Sequence, residues 1–167
     1  MAVIIRPWKL EDIPSLVNYA NNINIWNNLR NSFPHPYTEE NARIWIEAAM
    51  IESPFINFAI DLDGEAIGGI GLIFNTDVYV HSAEIGYWIG EPFWHQGIAT
   101  EAIRQMVEYS FYYFDLIRIY AEVFENNKSS MRALEKNGFY LEGVRRKSVF
   151  KNQQLMDDYI WVKLRAW

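Results

Sequence analysis

The sequence predicts an α/β protein with a mixed, mostly antiparallel central sheet flanked by helices, in the order β-α-α-β-β-β-α-β-α-β-β. Three observations carry this. Short runs of β-branched and aromatic residues alternate with longer stretches of helical period. Half of the 167 residues are hydrophobic and 16% are aromatic, enough to fill a core and too many for a disordered chain. With no repeat, linker or low-complexity tract, that length reads as a single domain over residues 1–167.

The first strand is Val3-Ile4-Ile5, and a helix follows with Pro14 in its first turn and Ile13, Leu16, Val17 and Ala20 on one face. Residues 21–37 are Asn-rich and loop-like, with room for one short helical turn. Thr38 caps a second helix whose apolar face is Ala42, Trp45, Ile46, Ala49 and Met50. Ile56, Phe58 and Ile60 alternate as a strand, and Asp63-Gly64 turns it tightly into Ala66–Phe74. Ala83–Ile89 is a further strand. Thr100–Phe114 is the strongest helix, presenting Ile103, Met106, Val107, Ser110, Phe111 and Phe114 on one face. Ile117–Phe124 is β-rich, Lys128–Asn137 is helical and stops at Gly138, and strands near Val144–Phe150 and Asp158–Leu164 close the chain.

Several function classes fall away. Fifteen Lys+Arg against 21 Asp+Glu give a net charge of −6, contrary to a basic nucleic-acid clamp. With no Cys and three dispersed His there is no thiolate site and no local metal motif. No stretch is apolar enough to span a membrane and no targeting segment is visible, so a cytoplasmic protein is expected. Gly68-Gly69-Ile70-Gly71 leads into more strand and not into a helix, so its glycines read as places of close backbone approach rather than a dinucleotide turn.

The charge is unevenly spread. Residues 1–94 hold 4 basic and 12 acidic side chains, a net of −8, whereas residues 95–151 hold 9 and 7, a net of +2. The acidic half is expected to meet a cationic partner and the other half an anionic one. The run Trp94-His95-Gln96-Gly97-Ile98-Ala99-Thr100 sits between a strand and the strongest helix. Gly97 and the small Ala99 keep side chains out of the turn, so backbone N–H groups and the helix dipole can converge on a pyrophosphate.

Four segments recur in a telling order: Ala83-Glu84-Ile85-Gly86-Tyr87-Trp88-Ile89-Gly90, then Trp94–Ala102, Asn127-Lys128-Ser129-Ser130, and Leu134-Glu135-Lys136-Asn137-Gly138-Phe139. With the opening Ile5-Arg6-Pro7 and the Glu11-Asp12 helix start, the chain resembles the GCN5-related N-acetyltransferase (GNAT) superfamily. The likeness is greatest to its branch acting on ribosomal-protein N-termini. The resemblance implies the GNAT fold and acetyl-CoA as acetyl donor, with no metal. It assigns the pyrophosphate to the backbone of Trp94, His95, Gln96, Gly97, Ile98, Ala99 and Thr100. The pantetheine arm falls to the backbone of Tyr87, Trp88 and Ile89 and to Asn127, with Ser130 near the thioester sulfur.

Two family positions depart. Leu134 stands where some relatives carry a Tyr acid, and Val149 where a carboxylate base has been proposed. Glu84 and Ser130 are therefore the expected catalytic residues, Glu84 by way of a strand bulge. Trp26, Arg30, Phe33, His35 and Tyr37 on the early loop are expected to line the acceptor site, with a hairpin loop Lys151–Met156 opposite. The implied reaction is direct attack of a primary amine, either a protein N-terminal α-amine or a small amine or polyamine. The alternative is a catalytically inactive acyl-CoA-binding regulatory module. No nucleic-acid or membrane partner is expected. The aromatics Trp161 and Trp167, read as exposed, permit a monomer or a homodimer.

Overall fold

A computed structural model describes residues 2–166. Its strands are β1 (Val3–Pro7), β2 (Asn57–Leu62), β3 (Glu65–Phe74), β4 (Ser82–Ile89), β5 (Arg118–Phe124), β6 (Tyr140–Lys151) and β7 (Gln154–Leu164). The helices are α1 (Ile13–Ala20), the single turn α2 (Ile23–Trp26), α3 (Glu39–Met50), α4 (Ile98–Tyr113) and α5 (Lys128–Lys136). The strands form one seven-stranded sheet in the order β1-β2-β3-β4-β5-β7-β6. Its β4–β5 pair is parallel, and β1–β2, β2–β3, β5–β7 and β6–β7 are antiparallel. The predicted mixed, mostly antiparallel α/β class is the observed one. The chain divides into two compact units, the first running to Gly71 and including Tyr87–Ile98, the second holding Leu72–Gly86 and everything from Ala99.

In the first unit, α1 and α3 bury Leu16, Ala20, Ala42, Ile46 and Ala49 in a cluster with Trp8, Tyr37 and Ala59. Thr38 caps α3 as expected, its Oγ1 accepting the Asn41 N–H at 3.1 Å, a contact worth ~1 kcal/mol. Trp45 and Met50, expected in the core, are exposed, because the apolar stripe of α3 is only as wide as Ala42, Ile46 and Ala49. The Asp63-Gly64 turn is the predicted one, with both residues at positive φ and Asp61 Oδ1 accepting the Gly64 N–H. The β3 glycines do permit close approach. A Cβ on Gly68 would lie 2.3 Å from the Trp88 carbonyl oxygen, and one on Gly71 2.2 Å from Asn57 Oδ1.

In the second unit, Ile103 and Met106 of α4 and Leu134 of α5 are fully buried, as are Ile119 of β5 and Val162 of β7. α4 begins at Ile98, two residues earlier than predicted, and α5 ends before Gly138 at φ +81 as its glycine stop requires. β6 and β7 are longer than predicted. The hairpin loop expected over Lys151–Met156 shrinks to Asn152-Gln153, both at positive φ, with Lys151 paired to Gln154. A bulge interrupts β6: Arg145 faces Asp158 and Val149 faces Met156, so three residues stand against Asp157 alone. Asp157 holds that bulge, accepting the Lys147 N–H at 2.9 Å and Arg146 Nη1 at 2.8 Å. These two bonds hold its carboxyl below the usual carboxylate range. Trp161 is half-buried rather than exposed, and Trp167 lies outside the described residues.

Candidate active site

The turn that follows β4 is built inside the first unit. Gly90 N–H donates to Ile67 O at 2.7 Å and opens a short 3-10 turn, Glu91–Phe93. Trp94 is anchored by its indole N–H, 2.7 Å from Ile89 O, and Gln96 by its amide, 3.2 Å from Pro92 O. Its first position is thus a structural brace, and the backbone of the next residues is what remains exposed. His95 and Gly97 both adopt the left-handed region, at φ +62 and +78. Alternating conformations of this kind turn successive N–H groups toward one concavity. A Cβ on Gly97 would meet nothing within 4 Å, so the open side of the turn is clear. The 16-residue α4 continues directly from it and supplies a positive dipole end.

The second unit carries Glu84, Asn127 and Ser130, while Tyr87, Trp88 and Ile89 lie in the first. Glu84, half-buried, is in register with Tyr120 and therefore shares its face of the sheet. The β4–β5 ladder runs without a shift over Ser82–Glu84 and ends at that pair. Tyr120 donates from its hydroxyl to Asn75 Oδ1 at 3.0 Å. Two residues further along β5, Glu122 forms an ion pair with Arg145, which also reaches Asp158 Oδ2 at 3.1 Å.

Asn127 is the N-cap of α5, its Oδ1 accepting the Ser130 N–H and the Ser129 hydroxyl, each at 3.3 Å. Its carboxamide NH2 makes no hydrogen bond among the described residues, which suits a donor to an amide carbonyl. Leu134 is fully buried, so the position that carries a Tyr in some relatives is core. Asn137 was missed from the sequence: its amide donates to Thr100 O and Ala133 O, tying α5 to the first turn of α4.

The early loop, in the first unit, is more braced than a 17-residue connection suggests. Trp26 Nε1 donates to Phe33 O, Asn21 accepts the Tyr37 N–H, and Glu91 accepts from both Asn22 and Asn24. Phe33 packs on Tyr37 and Trp88 at ring separations of 5.2 and 6.0 Å, and Trp26 lies over His35 at 5.8 Å. Tyr37 is core rather than wall, and its burial pushes the phenol up to about 12. Trp26 and Phe33 are half-buried, while Arg30 and His35 are exposed. The Asn run signals a loop, and the bonds of Asn22 and Asn24 to Glu91, 69 and 67 residues away, have no local signature.

Several carboxylates of the first half have partners within the chain. Arg6 binds Asp12 through both terminal nitrogens at 2.8 Å and Asp61 through Nε at 2.7 Å, which holds its guanidinium firmly protonated. Glu52 accepts from Ile56, Asn57 and the Asn57 amide, and Glu65 from Tyr19. These partners fix where the carboxylates lie and leave the net charge of the first half unchanged. A polar cleft of about 500 Å³ beside Lys9, Ser15, Asn18 and Glu65 contains none of the candidate residues.

A mixed sheet, a left-handed glycine turn after β4 and a long helix leading from it place this chain among α/β proteins whose backbone N–H groups are arranged at a helix start. The chain belongs to the acetyltransferase (GNAT) domain family, which its residues 2–140 match. It is 41% identical over 98 residues to the uncharacterized N-acetyltransferase YoaA of Bacillus subtilis (strain 168), covering 58% of this chain and 54% of YoaA. It is 26% identical over 159 residues to spermidine N(1)-acetyltransferase of Escherichia coli (strain K12), covering 92% of this chain and 81% of that protein. The chain spans about half the length of curated Bacillus subtilis relatives such as YoaA and YjcK in these matches. The fold superposes on Mycobacterium smegmatis RimJ, solved with a CoA-disulfide, with a TM-score of 0.83 at 24% identity, covering 97% of this chain and 81% of RimJ. Among the described residues no group of His and carboxylates could hold a metal, and no helix is long and apolar enough to cross a membrane.

Proposed function

We propose that the chain is an N-acetyltransferase that moves acetyl from acetyl-CoA to a primary amine by direct attack in a ternary complex. On this reading residues 1–167 act as one acetyltransferase domain in the cytoplasm. The left-handed turn at His95 and Gly97, in a chain of this family, is the observation that carries it. Acetyl-CoA supplies the thioester. The backbone of Trp94 to Thr100 binds its pyrophosphate, and Tyr87 to Ile89 with the Asn127 amide hold the pantetheine arm. Glu84 takes the proton released as the amine nitrogen bonds to the acetyl carbon and the carbon–sulfur bond breaks. The Ser130 hydroxyl donates a hydrogen bond to the departing thiolate, which needs little more, since a thiol pKa of ~8.5 already makes a fair leaving group.

The acceptor's own pKa sets how much help it needs. Near pH ~7.4 an α-amine of pKa ~8 is about one-fifth neutral, and a lysine-like amine of pKa ~10.4 only ~0.1%. A protein N-terminus or a weakly basic small amine is therefore the better match to a site with one half-buried carboxylate, and a polyamine asks more of it. The test is free-thiol release with acetyl-CoA and a panel of amines and peptides, followed by mass spectrometry of the products. Amine-dependent thiol release with an acetylated product is expected. The buried Leu134, in place of an acid, favours a second reading as an inactive sensor. Acetyl-CoA binding without thiol release across the panel would select that reading, and no binding at all would remove both.

A further inference from the structure

The β5–β7 pairing ends on a side chain rather than on backbone. The ladder is regular up to Phe124 opposite Asp158, and one further bond joins the Glu125 N–H to Asp157 O at 3.1 Å. In an antiparallel pair bonded in this way the facing residue returns its N–H to the backbone carbonyl. Here the Asp157 N–H goes instead to the Glu125 side chain, 2.8 Å from Oε1. One carboxylate oxygen thus stands in for a ladder carbonyl. The backbone of Glu125 is released from the sheet, and the chain leaves in a tight turn closed by the Asn127 N–H on Phe124 O at 2.9 Å.

That turn sets Asn127 at the head of α5. The bonds on the helix side of Asn127 are long: 3.3 Å to the Ser130 N–H, 3.3 Å to the Ser129 hydroxyl, and 3.4 Å from its carbonyl to the Met131 N–H. Those on the strand side run from 2.8 to 3.1 Å, within the strong range. Asn127 also departs from the extended backbone of an ordinary N-cap, with φ −92 and ψ 66. The cap by itself therefore holds Asn127 weakly. A second strap, the Asn126 amide 3.4 Å from Met156 Sδ, ends on a thioether, a weak acceptor. The carboxylate bond is the strong one. Its far end is firm, because Asp157 is buried and its own carboxylate is tied to the Lys147 N–H and to Arg146 at the β6 bulge.

We infer that Glu125 is the positioning residue of Asn127: by accepting the Asp157 N–H it fixes the turn that holds the Asn127 carboxamide in place for the pantetheine arm. This rests on the proposed role of Asn127, and the variants separate the two. Calorimetry with acetyl-CoA reads affinity independently of turnover. Asn127→Ala, which tests the role itself, should weaken acetyl-CoA about fivefold, the worth of one hydrogen bond. Glu125→Ala should weaken it about as much, and Glu125→Gln, which keeps an acceptor oxygen at the same reach, should restore the parent affinity. Adding Glu125→Ala to Asn127→Ala should cost nothing more, since a residue that acts through Asn127 has nothing left to position. If Glu125→Ala does not fold, Glu125→Asp, one methylene short of the Asp157 N–H, replaces it with the same expectations. A parent that does not bind, or an Asn127→Ala variant that binds as the parent does, overturns the role of Asn127 and this inference with it. Weakening by Asn127→Ala overturns the inference alone if the Glu125 variants bind like the parent, if their loss adds in full, or if Gln fails to restore it.

Discussion

Two glycines in the first unit lack side chains for unrelated reasons. In β3, Gly68 has no room for one: a Cβ would stand 2.3 Å from the Trp88 carbonyl oxygen, and that oxygen is backbone and cannot swing away. In the turn before α4, Gly97 has ample room, with nothing within 4 Å, but its φ of +78 is one that a side chain disfavours. The first is a packing constraint shared by two strands and the second a conformational constraint local to one turn. Packing constraints are felt by the whole unit, while conformational ones are felt by whatever the turn binds.

The sharpest way to break this comparison is Gly68→Ala. The added methyl forces β3 from the Trp88 backbone, and overpacking without a flexible neighbour should cost about 3 kcal/mol in urea denaturation. A loss below ~1 kcal/mol would show that the strands can part and that the contact is not a constraint. Gly97→Ala should cost less, about 1–2 kcal/mol, the penalty of a left-handed non-glycine residue. On the proposed function it should also weaken acetyl-CoA about tenfold in calorimetry, as a turn that relaxes loses a donor's worth of binding. Gly97→Asn should recover part of both, since Asn tolerates that conformation better. Equal losses from Ala and Asn would mean that the turn rejects any side chain and that room, not φ, is what matters.

How much of this was legible follows the same division. Conformational signals are local and were read: the Thr38 cap, the Asp63-Gly64 turn, the Gly138 stop and the Gly97 turn all stand where the sequence put them. Packing signals depend on partners far along the chain and were read only in outline. Periodicity placed α3 but not the limits of its stripe, so Trp45 and Met50 were counted as core. The bulge at Arg146–Ser148 lies inside the expected strand Val144–Phe150, and what the pattern does not announce is the start of each closing strand, 140–143 in β6 and 154–157 in β7. The acidic excess was visible in composition, yet the Arg6 bond to Asp61 spans 55 residues and no local pattern announces it. In the site, Gly97 is legible in the sequence as a turn glycine, whereas Asn127 and Ser130 enter only through the family resemblance. The bracing by Glu91 and Asn137 was not legible, since each acts on backbone or amides contributed by another element.

Titration gives the comparison a gentler probe. Tyr37 is shifted by packing: burial raises its phenol from the ordinary value of 10 to about 12. Its neutral form is the one the folded chain keeps, so stability should fall as pH climbs from about 10 through about 12, and Tyr37→Phe should flatten that limb. Asp157 is shifted by local partners, chiefly the Lys147 N–H at a left-handed residue and then Arg146. Its folded value is depressed, so its contribution is whole above the ordinary carboxylate value and disappears as pH drops through the lower folded one. Asp157→Asn should remove that acid slope and leave the alkaline limb untouched. If thermal melts across pH show both variants altering the same limb, packing and local conformation are not separable in this chain.

The smallest expected effect on folding is the most informative about function. Gly86, exposed on β4, sits at an ordinary φ, and a Cβ there would meet nothing within 4 Å. Neither reason for glycine applies, so Gly86→Ala should leave stability within ~0.5 kcal/mol, or raise it slightly by restricting the unfolded chain. It lies one residue before Tyr87, where the proposed function runs the pantetheine arm along the strand backbone. A methyl group that protrudes into solvent in the free protein would then protrude into the arm, and glycine is the residue that lets a ligand approach a backbone so closely. Gly86→Ala should therefore raise the acetyl-CoA KM several-fold with the melting curve unmoved. If steady-state kinetics show the KM unchanged as well, nothing approaches β4 at Gly86, and the arm must be held elsewhere.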